Sequence, residues 1–200
     1  MAERLGLSLA RHIGGASSGC VHLLEDGRVL KVTASEGEAA RALLLMEAQP
    51  EGLGCPGFPR IDRVVAMRTA SGSGDGMPCF AIVREEAADL GNGWTGGNDL
   101  LHWTMALGML GEARRDGRGI DDLGPAAHCA AHVEDAYDAI AWAARTLGFA
   151  IDDVRTSNFG IAGGRFVIRD FGPDDDAADV SRTIARIERI PGPPGPAPVC

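Results

Sequence analysis

A hairpin signal in the last quarter of the chain constrains the fold more than any other feature. Two short apolar runs, FGIA and RFVI, flank a pair of glycines at positions 163–164, which is typical of a tight turn that needs positive φ. Counting outward from this turn pairs Ala162 with Arg165 and sets Asn158 beside Asp170. An amide oxygen and a carboxylate at the open end of a small sheet suit a hard cation such as Mg²⁺. The alternative is that Asp and Asn are present only because these residue types favour turns.

The composition excludes several classes of protein. The chain has 200 residues and a net charge of −9, which argues against binding to nucleic acid or acidic lipid, because phosphate contacts demand basic surface. No run approaches the roughly 18 uncharged apolar residues of a membrane span, and the N-terminus lacks a signal-peptide pattern. Five cysteines with no C-x-x-C pair are typical of reduced thiols. We therefore expect a cytoplasmic protein with neither a membrane nor a nucleic-acid partner.

The first 90 residues are predicted to form a sheet of five strands with one helix. Apolar runs predict the strands, and an Asp-Gly turn at 26–27 joins the second strand to the third. Ser35 followed three residues later by Glu38 is a capping-box pattern, which predicts a helix to about residue 48. The five strand segments are LSLARHI, CVHLLED, RVLKVTA, FPRIDRVVAMR and PCFAIVREE.

The rest of the chain is predicted to be mainly helical apart from the hairpin. One helix is expected near 98–112, and apolar residues at helical spacing predict a long amphipathic helix over 126–147. A last helix is expected over 177–190. The ending PGPPGPAPVC, residues 191–200, is typical of an extended or disordered tail.

Small residues near the N-terminus and the only lysine form a second pattern. The stretch GGASSGCV fits G-x-G-x-x-G-x-V with alanine in place of the middle glycine, and such residues let backbone N–H groups approach phosphate oxygens. The chain has eighteen arginines but one lysine, Lys31, and a lysine ammonium acts on phosphate as a point charge. Glu38 or Glu47 could pair with Lys31, and either could be solvated. A plain turn and a chance lysine are the alternatives. The candidate cofactor-binding residues of this stretch are Gly14, Gly15, Ser17, Ser18, Gly19 and Val21.

Two further motifs complete an ordered set. Asp153 and Asn158 fit D-x-x-x-x-N, and Asp170 begins the triplet D-F-G. In this order the glycine-rich stretch, the lysine, the glutamate and the two motifs resemble the protein-kinase-like superfamily over residues 8–172. In scale the chain looks most similar to compact phage or bacterial kinase-like proteins and to distant relatives of aminoglycoside phosphotransferases.

The resemblance implies a minimal bilobal fold of the α+β class. Its N-lobe over residues 1–90 would hold the five-stranded sheet and one helix, and a reduced, mainly helical C-lobe would span 91–190. The C-lobe must be reduced because nothing like A-P-E follows Gly172 and only 28 residues remain. The H-R-D position reads Ile-Asp-Asp at 151–153, which departs from the pattern of the superfamily and puts a peptide substrate in doubt.

For ATP, the resemblance implies contacts from the N-lobe. Backbone from Gly14 to Gly19 would cover the phosphates, and Lys31 would contact their oxygens while Glu38 orients its side chain. The segment from Glu85 to Leu90, including Ala87, would be the hinge that offers backbone groups to adenine.

For the reaction, the resemblance implies a Mg²⁺-dependent transfer of the γ-phosphate of ATP to a hydroxyl of a protein serine or threonine, or of a small molecule. Asp153 would accept or orient the proton of that hydroxyl, and Asn158 with Asp170 would hold Mg²⁺. The second hypothesis is a pseudokinase, which binds nucleotide or a partner protein and transfers nothing.

Other candidate residues favour structural explanations. His128 and His132 are four apart on the predicted long helix, a spacing that can place two imidazoles on one metal. They lie beside the apolar face of that helix, which favours a solvated or partly buried pair. The acidic run 174–176 favours a solvated loop, and core positions are favoured for the tryptophans Trp94, Trp103 and Trp142.

Overall fold

A computed structural model describes residues 2–16, 19–68, 77–90, 99–120, 132–151, 153–170 and 177–190. The chain divides into two compact units, each discontinuous in sequence. The first unit comprises Met1–Ala48, Arg60–Glu86 and Pro173–Cys200, and the second comprises Gln49–Pro59 and Ala87–Gly172. The predictions for Ser17, Ser18, Asp152, Phe171, Gly172, Trp94, His128 and the tail 191–200 lie outside the described residues.

The described residues form nine strands and four α-helices, which confirms the α+β class. In chain order they are β1 (Leu9–Ala16), β2 (Gly19–Leu24), β3 (Val29–Thr33), α1 (Glu36–Ala48), β4 (Ile61–Arg68), β5 (Pro78–Arg84), β6 (Ala88–Asp89), α2 (Asp99–Arg115), α3 (Val133–Thr146), β7 (Phe159–Ala162), β8 (Arg165–Ile168), α4 (Ala177–Ile184) and β9 (Glu188–Arg189). Two short 3-10 helices add Ala2–Leu5 and Thr156–Asn158.

The sheet of the first unit has six strands in the order β1-β2-β3-β5-β4-β9, rather than the predicted five. The sixth strand, β9, runs parallel to β4, and the N–H of Ile190 donates to the carbonyl oxygen of Ala66 at 3.0 Å. A strand of two residues is too short to show alternation, so no sequence pattern indicates it. The last helix accordingly ends at Ile184, because the chain turns back toward the sheet edge before residue 190.

One face of this sheet packs into a hydrophobic core that the 3-10 helix Ala2–Leu5 closes. Leu30 on β3 is 1% exposed within that core, and burying a side chain of this size contributes about 1.5–3 kcal/mol. Side chains alternate between the two faces along a strand, so Lys31 lies on the face opposite to Leu30. The buried members of the core are Ala2, Leu5, Leu24, Leu30, Val65, Met67, Cys79, Ala81 and Val83.

The second unit contains the predicted hairpin. Gly163 and Gly164 have φ values of 55° and 79°, which lie in the left-handed region that glycine adopts at little steric cost. Ala162 pairs with Arg165, which confirms the predicted register, and Phe159 pairs with Ile168. β6 adds a third strand next to β7. The hairpin therefore ends at Asn158 on one side and at Arg169 on the other.

The helices of the second unit match the predictions in number but differ at their ends. α2 spans Asp99–Arg115, close to the predicted 98–112. α3 begins at Val133 rather than at residue 126, and residues 121–131 lie outside the described part of the chain. Apolar periodicity identifies a helix but does not fix its first residue. Among the described residues, no helix has the length and apolar content to cross a membrane.

Candidate functional site

The only lysine of the chain forms a buried ion pair in the first unit. Lys31 Nζ on β3 lies against Glu38 Oε1 on α1, and the two side chains are 11% and 5% exposed. Glu47, the other partner considered from the sequence, pairs with Arg186 instead. The packing of α1 therefore selects Glu38 as the partner of Lys31.

The start of α1 explains why the Glu38 carboxylate is available to Lys31. Ser35 Oγ accepts the N–H of Glu38 at 3.1 Å, which is one half of the predicted capping box. In the other half, the glutamate carboxylate would accept the N–H of Ser35. Here Thr33 Oγ1 accepts that N–H at 3.1 Å. Because the Thr33 hydroxyl accepts the N–H of Ser35 in its place, the Glu38 carboxylate can form the ion pair with Lys31.

Lys31 also lies in line with the glycine-rich stretch across the sheet. Gly14 pairs with Val21, Val21 pairs with Lys31, and Lys31 pairs with Ile82 on β5. Directly paired residues of neighbouring strands share one face of a sheet. The ammonium group thus lies on the same sheet face as the paired residues of the β1–β2 segment.

The glycines of that segment have different local requirements. A Cβ on Gly19 would overlap the carbonyl oxygen of Val32, so the close approach of β2 to β3 requires a glycine there. A Cβ on Gly14 would meet no atom within 4 Å, so packing does not demand glycine at that position. Gly15 pairs with Cys20 in the β1–β2 ladder.

In the second unit, Asp153 and Asn158 are bonded to each other. Asn158 Nδ2 donates to the backbone carbonyl oxygen of Asp153 at 2.8 Å and to Oδ2 of the same residue at 2.9 Å. Asn158 is buried, whereas the side chain of Asp153 is 32% exposed. Arg155 Nε donates to Asp153 Oδ1 at 2.6 Å. The D-x-x-x-x-N spacing therefore closes a loop in which the amide holds one carboxylate oxygen and a guanidinium holds the other.

Asp170 lies beside Asn158, as the hairpin register predicts. The carbonyl oxygen of Asn158 accepts the N–H of Arg169 at 2.8 Å and the N–H of Asp170 at 3.4 Å. A carboxamide and a carboxylate on adjacent backbone are oxygen donors of the kind Mg²⁺ takes, with phosphate oxygens and water completing its shell. The described residues contain no group of three or more His, Cys, Asp or Glu side chains that could hold a metal without such help.

Trp103 on α2 supports the loop, a role that the sequence did not suggest. Its indole N–H donates to Thr156 Oγ1 at 3.1 Å, inside the 3-10 helix that ends at Asn158. Its ring also meets the ring of Phe159 edge to face, with centroids 4.5 Å apart. Trp103 is 4% exposed, so it belongs to the core as expected and also positions the loop.

The two residues predicted for the hinge have different surroundings. The N–H of Glu85 donates to the carbonyl oxygen of Arg60 at 2.9 Å, and Glu85 Oε2 accepts the N–H of Arg60 at 3.1 Å. The carbonyl oxygen of Ala87 accepts from Arg169 Nη1 at 3.3 Å. Glu85 therefore uses its N–H and one carboxylate oxygen within the first unit, and Ala87 is tied to the residue that precedes Asp170.

The remaining candidates have structural surroundings. The ring of His132 stacks on Phe166 with centroids 5.4 Å apart, and its Nδ1 lies 3.1 Å from Asp135 Oδ2. Cys55 and Cys79 are buried free thiols, and burial raises the pKa of Cys55 to about 11. Burial also raises the pKa of Cys79 above its usual value. Both groups stay as unreactive thiols at neutral pH.

Comparison with known proteins adds no assignment. A scan against protein-family models gives no match, and a search of the curated proteins gives no significant match.

Proposed function

We propose that this protein is a Mg·ATP-dependent phosphotransferase of the protein-kinase-like type, whose acceptor is a hydroxyl group. The observation that carries the proposal is the buried pair of Lys31 with Glu38. Burying an ion pair costs desolvation that its attraction often fails to offset, so such a pair is weak evidence of a role in stability. In a chain whose other Lys or Arg residues are all arginine, a lysine that is only 11% exposed supports a specific task for the ammonium group.

In this proposal, the first unit neutralises charge on the nucleotide. Lys31 contacts phosphate oxygens as a compact cation, and Glu38 holds the lysine side chain in place. Backbone N–H groups of the glycine-rich segment from Gly14 to Gly19, with Ser17 and Ser18, cover the phosphates, and Val21 packs beside them. Adenine contacts belong to the backbone of 86–90, including Ala87, because the N–H of Glu85 is bonded to Arg60. In this proposal Glu85 does not contact adenine through its N–H, and its bond to Arg60 instead holds the start of the adenine-binding segment in place.

The second unit supplies the groups for the acceptor. Asn158 Nδ2 fixes Asp153 Oδ2, and this carboxylate orients the acceptor hydroxyl. The acceptor oxygen forms a bond to the γ-phosphorus, the bond from that phosphorus to the bridging oxygen breaks, and ADP leaves. The hydroxyl proton passes to Asp153. Asn158 and Asp170 are the residues that would hold Mg²⁺, which neutralises phosphate charge when bound. The minimal bilobal fold is part of the same proposal.

The second candidate, nucleotide binding without transfer, is favoured by one observation. Arg155 donates to Asp153 Oδ1, so a guanidinium holds the carboxylate that should receive the acceptor. If Arg155 stays there when nucleotide is bound, the acceptor hydroxyl meets a carboxylate with both oxygens already engaged, one by Asn158 and the other by Arg155.

The test is incubation with γ-labelled ATP and Mg²⁺, with and without a cell lysate, for wild type, Lys31→Arg and Asp153→Asn. We expect label transfer by wild type and loss of most of it in both variants. Arg11→Lys is the matched control. It replaces arginine by lysine, the opposite of Lys31→Arg, at a residue that is exposed on β1. Near wild-type transfer by Lys31→Arg would refute the role of the lysine. Binding of Mg·ATP without transfer would support the second candidate, and absence of binding would refute both.

A further inference from the structure

Arg169, the residue before Asp170, connects its own segment to two other backbone segments of the second unit. Its Nε and Nη2 donate to the carbonyl oxygen of Ser157 at 3.1 and 3.0 Å, and its Nη1 donates to the carbonyl oxygen of Ala87 at 3.3 Å. It also forms an ion pair with Asp89 on β6. The Arg169 side chain is only 22% exposed. One side chain thus ties the 3-10 helix of the loop to the segment that enters β6.

The absence of a side chain at Gly160 permits this arrangement. A Cβ on Gly160 would lie 2.6 Å from the carbonyl oxygen of Ala88, 3.1 Å from the Cβ of Ala87 and 3.4 Å from the Cδ of Arg169. Any other residue at this position would push β6, which carries the Asp89 partner of Arg169, away from β7, while its contact with the arginine stem would be of ordinary length. The glycine and the arginine therefore form one local packing unit.

We propose that Arg169 is a positioning residue that couples the nucleotide-binding segment 87–90 to the metal-binding residues Asn158 and Asp170. This inference rests on the proposed function. The N–H of Arg169 donates to the carbonyl oxygen of Asn158 at 2.8 Å, while its side chain holds Ser157 and Ala87. A nucleotide that orders segment 87–90 thereby also orders the loop and the start of the D-F-G triplet. By linkage, the factor by which bound nucleotide raises the affinity for Mg²⁺ is also the factor by which Mg²⁺ raises the affinity for nucleotide.

The shape of the guanidinium, rather than its charge, carries the coupling. Three of its N–H groups reach two carbonyl oxygens in a fixed fork, which a lysine ammonium cannot reproduce. The partner Asp89 has a side chain that is 79% exposed, and ion pairs to such groups contribute little. Charge at position 169 is therefore insufficient for the coupling, and the ion pair with Asp89 adds little to it.

The test compares ATP affinity with and without Mg²⁺ in full-length variants. We expect the ratio of the two affinities to fall at least about fivefold in Arg169→Met and in Arg169→Lys. The control Arg145→Met, which changes an exposed arginine on α3, should keep the wild-type ratio. The denaturation midpoint is measured for each variant, because a merely structural arginine would lower stability and leave the ratio unchanged. An unchanged ratio in Arg169→Met, or its recovery in Arg169→Lys, would overturn the proposal.

Hydrogen exchange gives a readout that needs no nucleotide. The N–H of Asn158 donates to the carbonyl oxygen of Arg155, and that of Phe159 to the carbonyl oxygen of Thr156. Both amides should exchange faster in Arg169→Met and Arg169→Lys, while amides inside α3 keep their rates. Unchanged exchange would show that Arg169 does not order the loop. A wild-type protein that binds no Mg·ATP would overturn the proposed function, and the exchange rates would still decide the structural link.

Discussion

Replacing Glu38 by glutamine isolates the energy of the buried ion pair. The change keeps the size of the side chain and removes the charge that pairs with the Lys31 ammonium, whose side chain is 11% exposed. Removing one partner of a buried pair typically costs about 3–5 kcal/mol, because a buried charge is left uncompensated. We use the lower end, about 3 kcal/mol, since Lys31 retains some contact with water.

The assay is equilibrium denaturation in urea, with the free energy of unfolding taken for each variant. Glu188→Gln is the matched control, because Glu188 pairs with Arg63 and the two side chains are 60% and 40% exposed. Removing that exposed pair should change stability by less than about 1 kcal/mol. The double variant Lys31→Met/Glu38→Leu removes both charges, and we expect it to recover most of the loss.

The double variant also separates stability from function. It should fold and should neither bind Mg·ATP tightly nor transfer label, because it lacks the ammonium group. If the free energy of unfolding of Glu38→Gln lies within about 0.5 kcal/mol of the wild-type value, which is the range of a neutral surface change, the ion pair is not desolvated and contributes little. Label transfer by the double variant at the wild-type rate would refute the proposed role of Lys31.

Three further predictions concern other parts of the molecule. Asp170→Asn should lose the Mg²⁺ dependence of nucleotide affinity in calorimetry and keep the wild-type denaturation curve, because it removes one charge from a partly exposed residue. Gly19→Ala should destabilise the protein by about 1–3 kcal/mol through overlap with the β3 backbone, whereas Gly14→Ala should fold normally, and equal stabilities would contradict this account of the segment. Burial raises the pKa of Cys55 from 9.0 to about 11; stability should therefore hold below pH 9 and fall as pH rises from 9 toward 11, because the unfolded thiol ionises first. Cys55→Ala should show a smaller fall, because Cys79, whose pKa burial also raises, still contributes to it; a pH profile identical to that of wild type would refute the role of Cys55.

Local signals in the sequence determined most of the secondary structure and, within the candidate site, the placement of Asp170 beside Asn158. The glycine pair at 163–164 fixes the hairpin register, because two residues at positive φ leave few ways to reverse a strand. That register places Asp170 beside Asn158, and the Ser35 cap places the first turn of α1. These features depend on interactions between residues close in sequence or joined by a tight turn, so a pattern of residue types can predict them.

The tertiary structure decided which groups meet over longer distances. Glu38 and Glu47 lie on the same helix, and the packing of α1, with Thr33 satisfying its first turn, selects Glu38 as the partner of Lys31. Strand β9 and the hydrogen bonds of Arg169 to Ser157 and Ala87 were not predictable, because their partners are backbone groups that nearly every residue carries. Backbone groups are alike whatever the residue type, so a sequence pattern cannot tell which of them will meet. Only their positions in the folded chain decide that.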